Sequence, residues 1–500
     1  MVVRRWIGLG ALVAIAAAAA FVYRHASMQR IREDFTGPLN EPRYQSQLLS
    51  EVFDTVADRE PPYRPAPKGE LEFNNQIAPI IYGKCARCHY VAGVAPFALG
   101  SFGDVKKRAR RIAQAVSRGL MPPWRADRCS LAFAGDFSLT NEEKGMLEQW
   151  LAEGCREGDR AKAPPPPTPP PEWRNGPPDV ILQPAEAFHV AAEGPDLWRW
   201  FVMPTNYLED RYVRLADVSP GSKAVHHVAV FSDTSGMARR LDAAAPGPGF
   251  AGIGFPEFPP ASEFGQWEPG MFAPPLPDGI GYFLPKGADL VIQVHYHPTG
   301  KEEIDRSRVA LYFCDKPVDK RLRCLPVIVS PRVLNIRPGE ANVVFWAEED
   351  VPGDISVVQI FPHMHLVGRE IAAAATLPDG SKIPIIRISD WDFRWQTLYM
   401  LKTPLRLPAG TRIRLEARFD NSSANPRNPH QPPKPIRFGL KSGNEMCMIS
   451  LLYTVDAERL TEGRPAASHY PDTFFPERFR RVVSGRKQIA RSDAADLKKR

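Results

Sequence analysis

Cysteine is scarce in this chain, seven in 500 residues, and that scarcity excludes a disulfide-dense scaffold. A strong charge of one sign is also lacking. The formal net charge is +7, the basic residues are scattered, and their densest group is the Lys487–Arg500 tail. A nucleic-acid interface is therefore not expected, and the tail reads as a solvated end; an acidic membrane surface or acidic redox partner stays open. Histidine is sparse too, at eleven residues, but it is unevenly placed. Proline is abundant: its 52 residues are about twice the usual share of roughly 5%. Because proline is kept out of helix interiors and central strands, this predicts loop-rich β structure and at least one stiff linker. A hydrophobic content of 43% and charged content of 24% are ordinary for folded chains, and 500 residues is too long for one core, so several domains are expected.

Arg4 and Arg5 precede an uncharged run, Trp6 to Tyr23, which orients the N-terminus inside and exports the rest of the chain. Residues 1–24 read as a membrane anchor, with a cleavable signal segment as the alternative. A polar, proline-bearing tether spans 25–70. From 71 to 160 the pattern is helical, over Asn74–Tyr82, Asp104–Arg118 and Thr140–Glu153, the last preceded by a capping signal. Proline runs in 161–178 predict an extended spacer. From 179 to 456 short β-branched and aromatic runs alternate with turn residues, which predicts two all-β sandwiches, 179–315 and 316–456, before a charged tail at 457–500. The Gly, Pro and aromatic-rich stretch Pro246–Gly281 reads as a long ordered loop, a lid or docking surface.

Within the helical part stands Cys85-Ala86-Arg87-Cys88-His89. Two thiols at this spacing can bond a haem while His89 takes its iron, although a redox pair or half a zinc site has the same spelling. Downstream, Gly119-Leu120-Met121-Pro122-Pro123-Trp124 resembles the methionine loop of class I cytochromes c, and Gln149-Trp150-Leu151 resembles the end of their last helix. That resemblance implies an all-α domain with one covalent haem c held by Cys85, Cys88, His89 and Met121. Cys129 and Cys155 flank the last helix and are expected to pair in an oxidising compartment.

Six histidines fall into clusters in the β-rich region: His226-His227, His295-Tyr296-His297 and His363-Met364-His365. Strand residues i and i+2 share a face, so an HxH pair presents two imidazoles to one point. Adjacent His226 and His227 would point oppositely unless a strand end or bulge intervenes. The ordered set of HH, then Gln-Val-His-Tyr, then HxH, then Asn444-Glu445-Met446-Cys447 resembles the copper type II ascorbate-dependent monooxygenases, the family of peptidylglycine alpha-hydroxylating monooxygenase and dopamine beta-monooxygenase. The resemblance covers 179–456. It implies two jelly-roll sandwiches, each with one copper ion: His226, His227 and His295 at the electron-transfer site, His363, His365 and Met446 at the oxygen-activating site. His297 has no ligand counterpart and is assigned to the surroundings of the site.

Departures from the family bear on substrate. Residues that grip a peptidylglycine carboxylate there correspond to Phe361, Met448 and Ser450 here, which argues for a less polar small-molecule substrate. The strand Arg414–Phe419 lacks the cysteine that would partner Cys447, while Cys314 and Cys324 could close a short loop. The expected protein is thus an exported, membrane-anchored monooxygenase using dioxygen, with electrons from the fused haem or an ascorbate-like donor. The haem is expected to dock near His226 and His227. A periplasmic electron-transfer or copper-handling protein without catalysis is the alternative.

Overall fold

Helix-start chemistry and apolar spacing shape the first part of the chain. In the computed structural model, which describes residues 52–53 and 60–467 apart from 92, 94, 255, 272 and 273, helical runs Phe73–Ile77, Ala78–Ile80 and Ile81–Cys85 follow one another to the first cysteine. Phe102–Lys107, Ala109–Ser117 and Asn141–Ala152 complete this part. Thr140 caps the last: its hydroxyl accepts from the Glu143 N–H at 3.0 Å, and the Glu143 carboxylate accepts from the Thr140 N–H at 2.8 Å. Phe73, Ile77, Leu147 and Trp150 form a small core.

The β-rich remainder holds two pairs of larger sheets, each pair enclosing one core, and two further sheets of two strands each. In the first pair, strands Phe250–Ala251, Leu197–Pro204, Asp289–Tyr296, Val225–Asp233 and Pro260–Trp267 lie in that order. They face a sheet of Val180–Leu182, Arg308–Phe313, Arg211–Ser219, Ile280–Leu284 and Lys320–Arg321. Val228, Val230, Ile292 and Val294 from one sheet meet Val213, Leu284, Val309 and Leu311 from the other. The second pair sets Arg323–Ile328, Cys447–Val455, Ile355–Met364 and Tyr399–Leu407 against Val343–Asp350, Arg412–Phe419, Gly368–Thr376 and Lys382–Ile388. Val357, Ile360, Ile371, Leu415 and Leu451 are among its buried contacts. Arg211–Ser219 alternates in burial as period-2 side-chain geometry requires, whereas Asp289–Tyr296 and Cys447–Val455, central in their sheets, are buried along almost their whole length.

Several expectations change. Pro246–Gly281 is not one loop: it holds strands Phe250–Ala251 and Pro260–Trp267, the two edges of their sheet, and an edge is where Pro260 costs no ladder hydrogen bond. The Cys129–Cys155 disulfide is not formed. Cys155 belongs to the helical core, whereas Cys129 packs against Ala372 and Ala374. Cys314 and Cys324 do not join either; the Cys314 thiol donates to the Ile280 carbonyl at 3.6 Å and Cys324 is buried in its own strand. The proline-rich spacer is docked at its end, where Trp173 packs on Leu215, Ala310 and Tyr312 and Arg174 donates to the Arg87 carbonyl at 3.1 Å.

The helical part is also stitched into the second sandwich. Asp127 N–H donates to Arg387 O at 2.8 Å and Leu131 N–H to Ile385 O at 3.0 Å, on the edge strand Lys382–Ile388. Ala134 N–H donates to Met400 O at 2.8 Å and Lys402 N–H to Ala132 O at 2.9 Å, on the edge strand Tyr399–Leu407. One segment therefore covers an open edge of each sheet, groups that would otherwise pair with another chain. The anchor expected at 1–24, the first part of the tether and the tail beyond 467 lie outside the described residues. Among those described, no helix is long and apolar enough to cross a membrane. The described start of the tail is docked through Glu458, fully buried and paired with Arg323 at 2.8 and 2.9 Å.

Candidate metal centres

The strand Val225–Asp233 solves the geometry of adjacent histidines by slipping register against Asp289–Tyr296 between Val225 and His227. This bulge turns both imidazoles toward one point, as the sequence required. His295 comes from the neighbouring strand, directly across from His227. Nδ1 of His227 lies 3.4 Å from Nδ1 of His226 and 3.2 Å from Nδ1 of His295. Ligand atoms of all three lie within 4.8 Å of one another, so the triad could hold a metal ion. Asp196 supports it, its two oxygens 2.8 Å from His295 Nε2 and from His297 Nδ1. Trp198 stacks on the His295 ring with centroids 4.1 Å apart. His297 itself is exposed and sits outside the triad. A carboxylate behind a ligating imidazole fixes its tautomer, here leaving Nδ1 for the ion.

His363 and His365 stand on one face at the end of Ile355–Met364, ring centroids 5.1 Å apart. Their outer partners are on Nδ1: Gln396 Oε1 lies 2.6 Å from that of His363, and the Asn444 carbonyl 3.2 Å from that of His365. Nε2 is thus the presented nitrogen, the opposite choice from the triad. Met446, almost fully buried, precedes the strand Cys447–Val455, whose pairing of Cys447 with Met364 brings the methionine beside His365. Glu445 joins these ends: it accepts from the His365 N–H, from the Met446 N–H at 2.9 Å and from the Val367 N–H at 3.2 Å. Burial pushes its carboxyl up to about 8 despite these bonds. The sequence assigns no role to Glu445, Gln396 or Asp196. Glu445 lies inside the Asn444–Cys447 motif, but nothing local distinguishes it from a surface acid. Removal of such an outer partner weakens a metal site by roughly 10–100-fold; Glu445→Ala is expected to do so at the second site and leave the triad's affinity unchanged, as equilibrium dialysis would read.

All five rings are poised as neutral ligands. Burial holds His295 and His363 down at about 4 and His365 at about 3, and depresses His226 and, further, His227. His363 is among the groups that lower the basicity of His227, so the two sites lie within electrostatic reach of each other. A small open cavity of about 40 Å³ reaches the second site through Phe361 and is lined also by Leu322, Leu398, Leu452, Glu263 and Tyr282 among others. Phe361 stacks on His363 with centroids 6.2 Å apart. Burial raises the Glu263 carboxyl to about 8, leaving it uncharged at neutral pH.

The cysteine motif follows the helical run ending at Cys85. His89 Nδ1 lies 3.0 Å from the Phe97 carbonyl, which leaves Nε2 for a ligand. Burial pushes the Cys85 thiol up to about 12 and raises that of Cys88, the reverse of the activation a thiol redox pair needs. Met121 is half-buried in the turn after Ala109–Ser117, its N–H donating to Ala115 O at 3.2 Å.

No family model matches the chain, and no curated protein matches it. Solved structures that resemble it do so faintly. PNGF-II, in one crystal form, has 9% identity over 55% of this chain and 65% of its own, with a TM-score of 0.23. A two-domain protein of unknown function from Bacteroides fragilis has 8% identity over 52% of this chain and 85% of its own, at 0.15. The infectious bursal disease virus VP2 subviral particle has 11% identity over 55% and 70%, also at 0.15. The chain spans about 65% of the length of the first of these.

Proposed function

We propose that the chain is a copper-dependent monooxygenase that inserts one oxygen atom of dioxygen into a C–H bond of a small, weakly polar substrate that is not a peptidylglycine. It would work on the outer, periplasmic side of a membrane, tethered by 1–24, with electrons from a fused c-type haem or an ascorbate-like donor. The observation that carries this reading is two neutral imidazole sets within electrostatic reach of each other, with opposite nitrogens presented. His226, His227 and His295 would hold one copper, and three imidazoles serve both of its oxidation states; His363, His365 and Met446 would hold the other, where a thioether favours Cu(I).

The haem also fits the residues: two unactivated thiols and a histidine oriented through Nδ1 suit covalent attachment, and Cys85, Cys88, His89 and Met121 would hold it. When bound, these groups supply electron transfer and oxygen activation. The chain supplies orientation and water control. Asp196 and Gln396 fix ring tautomers, Glu445 ties His365 to Met446, and Phe361 with Leu398 gives the cavity beside His363 an apolar wall. That wall supports a substrate of low polarity.

The test is copper and haem stoichiometry on the purified chain, followed by oxygen uptake under reductant with a substrate panel. Two coppers per haem and substrate-dependent uptake support the reading; one copper or none, without uptake, overturns it. One observation favours the second reading, a non-catalytic electron-transfer or copper-handling protein: among the described residues only the first triad is a convergent group of three His, Cys, Asp or Glu ligands. The oxygen measurement separates the two.

A further inference from the structure

The triad is supported from inside its own sandwich, by Asp196, Trp198 and His297. The second site is different, because the loop that supports it is gripped by the helical part. Within residues 390–396, Gln396 lies against His363, Trp391 Nε1 donates to the His365 carbonyl at 3.1 Å, and the Phe393 ring packs on His365 with centroids 5.7 Å apart. Asp390 and Asp392 of this loop pair with Arg125 at 3.2 and 3.4 Å, and the same guanidinium donates to the Gly119 carbonyl, two residues before Met121, at 3.2 Å. Arg125 and Asp392 are both nearly fully buried, at 5% and 2% side-chain exposure. An ion pair so enclosed costs desolvation and is kept where a fixed geometry matters.

A second connection runs parallel to it through rings. The Arg87 guanidinium, inside the cysteine motif, lies 4.2 Å over the Phe137 ring. Phe137 meets Trp124 and Trp124 meets Tyr399, each at 5.2 Å between centroids. Tyr399 is paired across the sheet with Ile360, on the strand that carries His363. Both connections start at the expected haem-binding segments; the first ends at the loop that supports the second site, and the second ends on the strand that carries His363.

We infer that Trp124, Arg125 and Tyr399 are positioning residues that seat the methionine loop against the His363–His365 loop, so that the haem module delivers its electron to the second metal site directly and not by way of the triad. The inference rests on the proposed function. Each transfer takes one electron from ferrous haem iron, leaving it ferric, and reduces one cupric ion at the second site to cuprous, with no proton moved. Electron-transfer rates fall steeply with edge-to-edge separation, so a joint of this kind sets the rate without touching either metal.

The experiment uses the full-length chain loaded with haem and copper, oxidised and free of oxygen. One electron is delivered to the haem by flash photolysis of a flavin, and haem absorbance is followed as the electron leaves. His227→Ala, which disables the triad, is expected to keep fast haem reoxidation, while His365→Ala and Met446→Ala lose it. Trp124→Leu and Arg125→Gln are expected to slow it at least about ten-fold with copper content and haem spectrum unchanged, and Trp124→Phe to restore most of the rate. In the metal-free protein, Trp124→Leu is expected to speed hydrogen exchange in Tyr399–Leu407. Loss of reoxidation in His227→Ala with retention in His365→Ala overturns the inference, as does an unchanged rate in both joint variants. A failure of the proposed function reads differently: copper or haem is then missing from the unmodified chain.

Discussion

Replacing Met446 with alanine is expected to remove the second metal ion, leave the first, and bring substrate-dependent oxygen uptake to background. Met446 is the soft donor proposed for the second site, and only 4% of it is exposed, so no water takes its place without entering a hydrophobic core that includes Met448, directly across the sheet from His363, and Ile449. Loss of an outer partner already weakens metal sites by up to about 100-fold, and loss of a ligand is expected to exceed that. The check is copper per haem by elemental analysis alongside oxygen consumption. Met446→His, which restores a nitrogen donor, is expected to regain metal without regaining uptake, since a third imidazole no longer favours Cu(I). Retention of both ions with full uptake in Met446→Ala would remove the methionine from the site.

Metal affinity at both sites is expected to stay level from pH 7 down to about pH 5. An ion binds the neutral imidazole, so a proton competes only as pH approaches the ring's own pKa. Ordinary histidines, near 6.5, would lose roughly 30-fold per ligand at pH 5. Burial has moved His295 and His363 to about 4 and His365 to about 3, so their neutral form is already present throughout that range and competition begins only below it. The sign is therefore a plateau above about pH 5 and a steep loss beneath pH 4. Equilibrium dialysis against copper at several pH values reads it directly. A decline beginning at pH 6.5 would mean that the rings are more solvated than their packing implies.

The parts legible in the sequence share one property: their cause is local. The capping box at Thr140 needs only residues three apart, and the bulge at His226 follows from two ligands in consecutive positions on a strand. The helical first part, the β-rich remainder and the histidine clusters are readable for the same reason. The illegible parts depend on chain segments meeting from far apart. Asp196 reaches His295 across 99 positions, and Arg125 reaches Asp392 across 267. Neither acid carries a mark in its own neighbourhood. The expected Cys129–Cys155 pairing fails for the converse reason: proximity along the chain is not proximity in space, and the segment around Cys129 is drawn off to another core.

That same segment, 127–134, has a consequence for how such a chain could arise and be taken apart. A module joined only by a proline-rich spacer can be swapped, deleted or expressed alone. Here the helical module lends its backbone to the rims of both sheets of its neighbour, so the two halves share a boundary that neither owns. Cutting at the spacer would leave two bare strand rims ready to pair with other copies of the chain. The fusion is therefore an inseparable pair, and any ancestor in which the halves were independent must have closed those rims in another way.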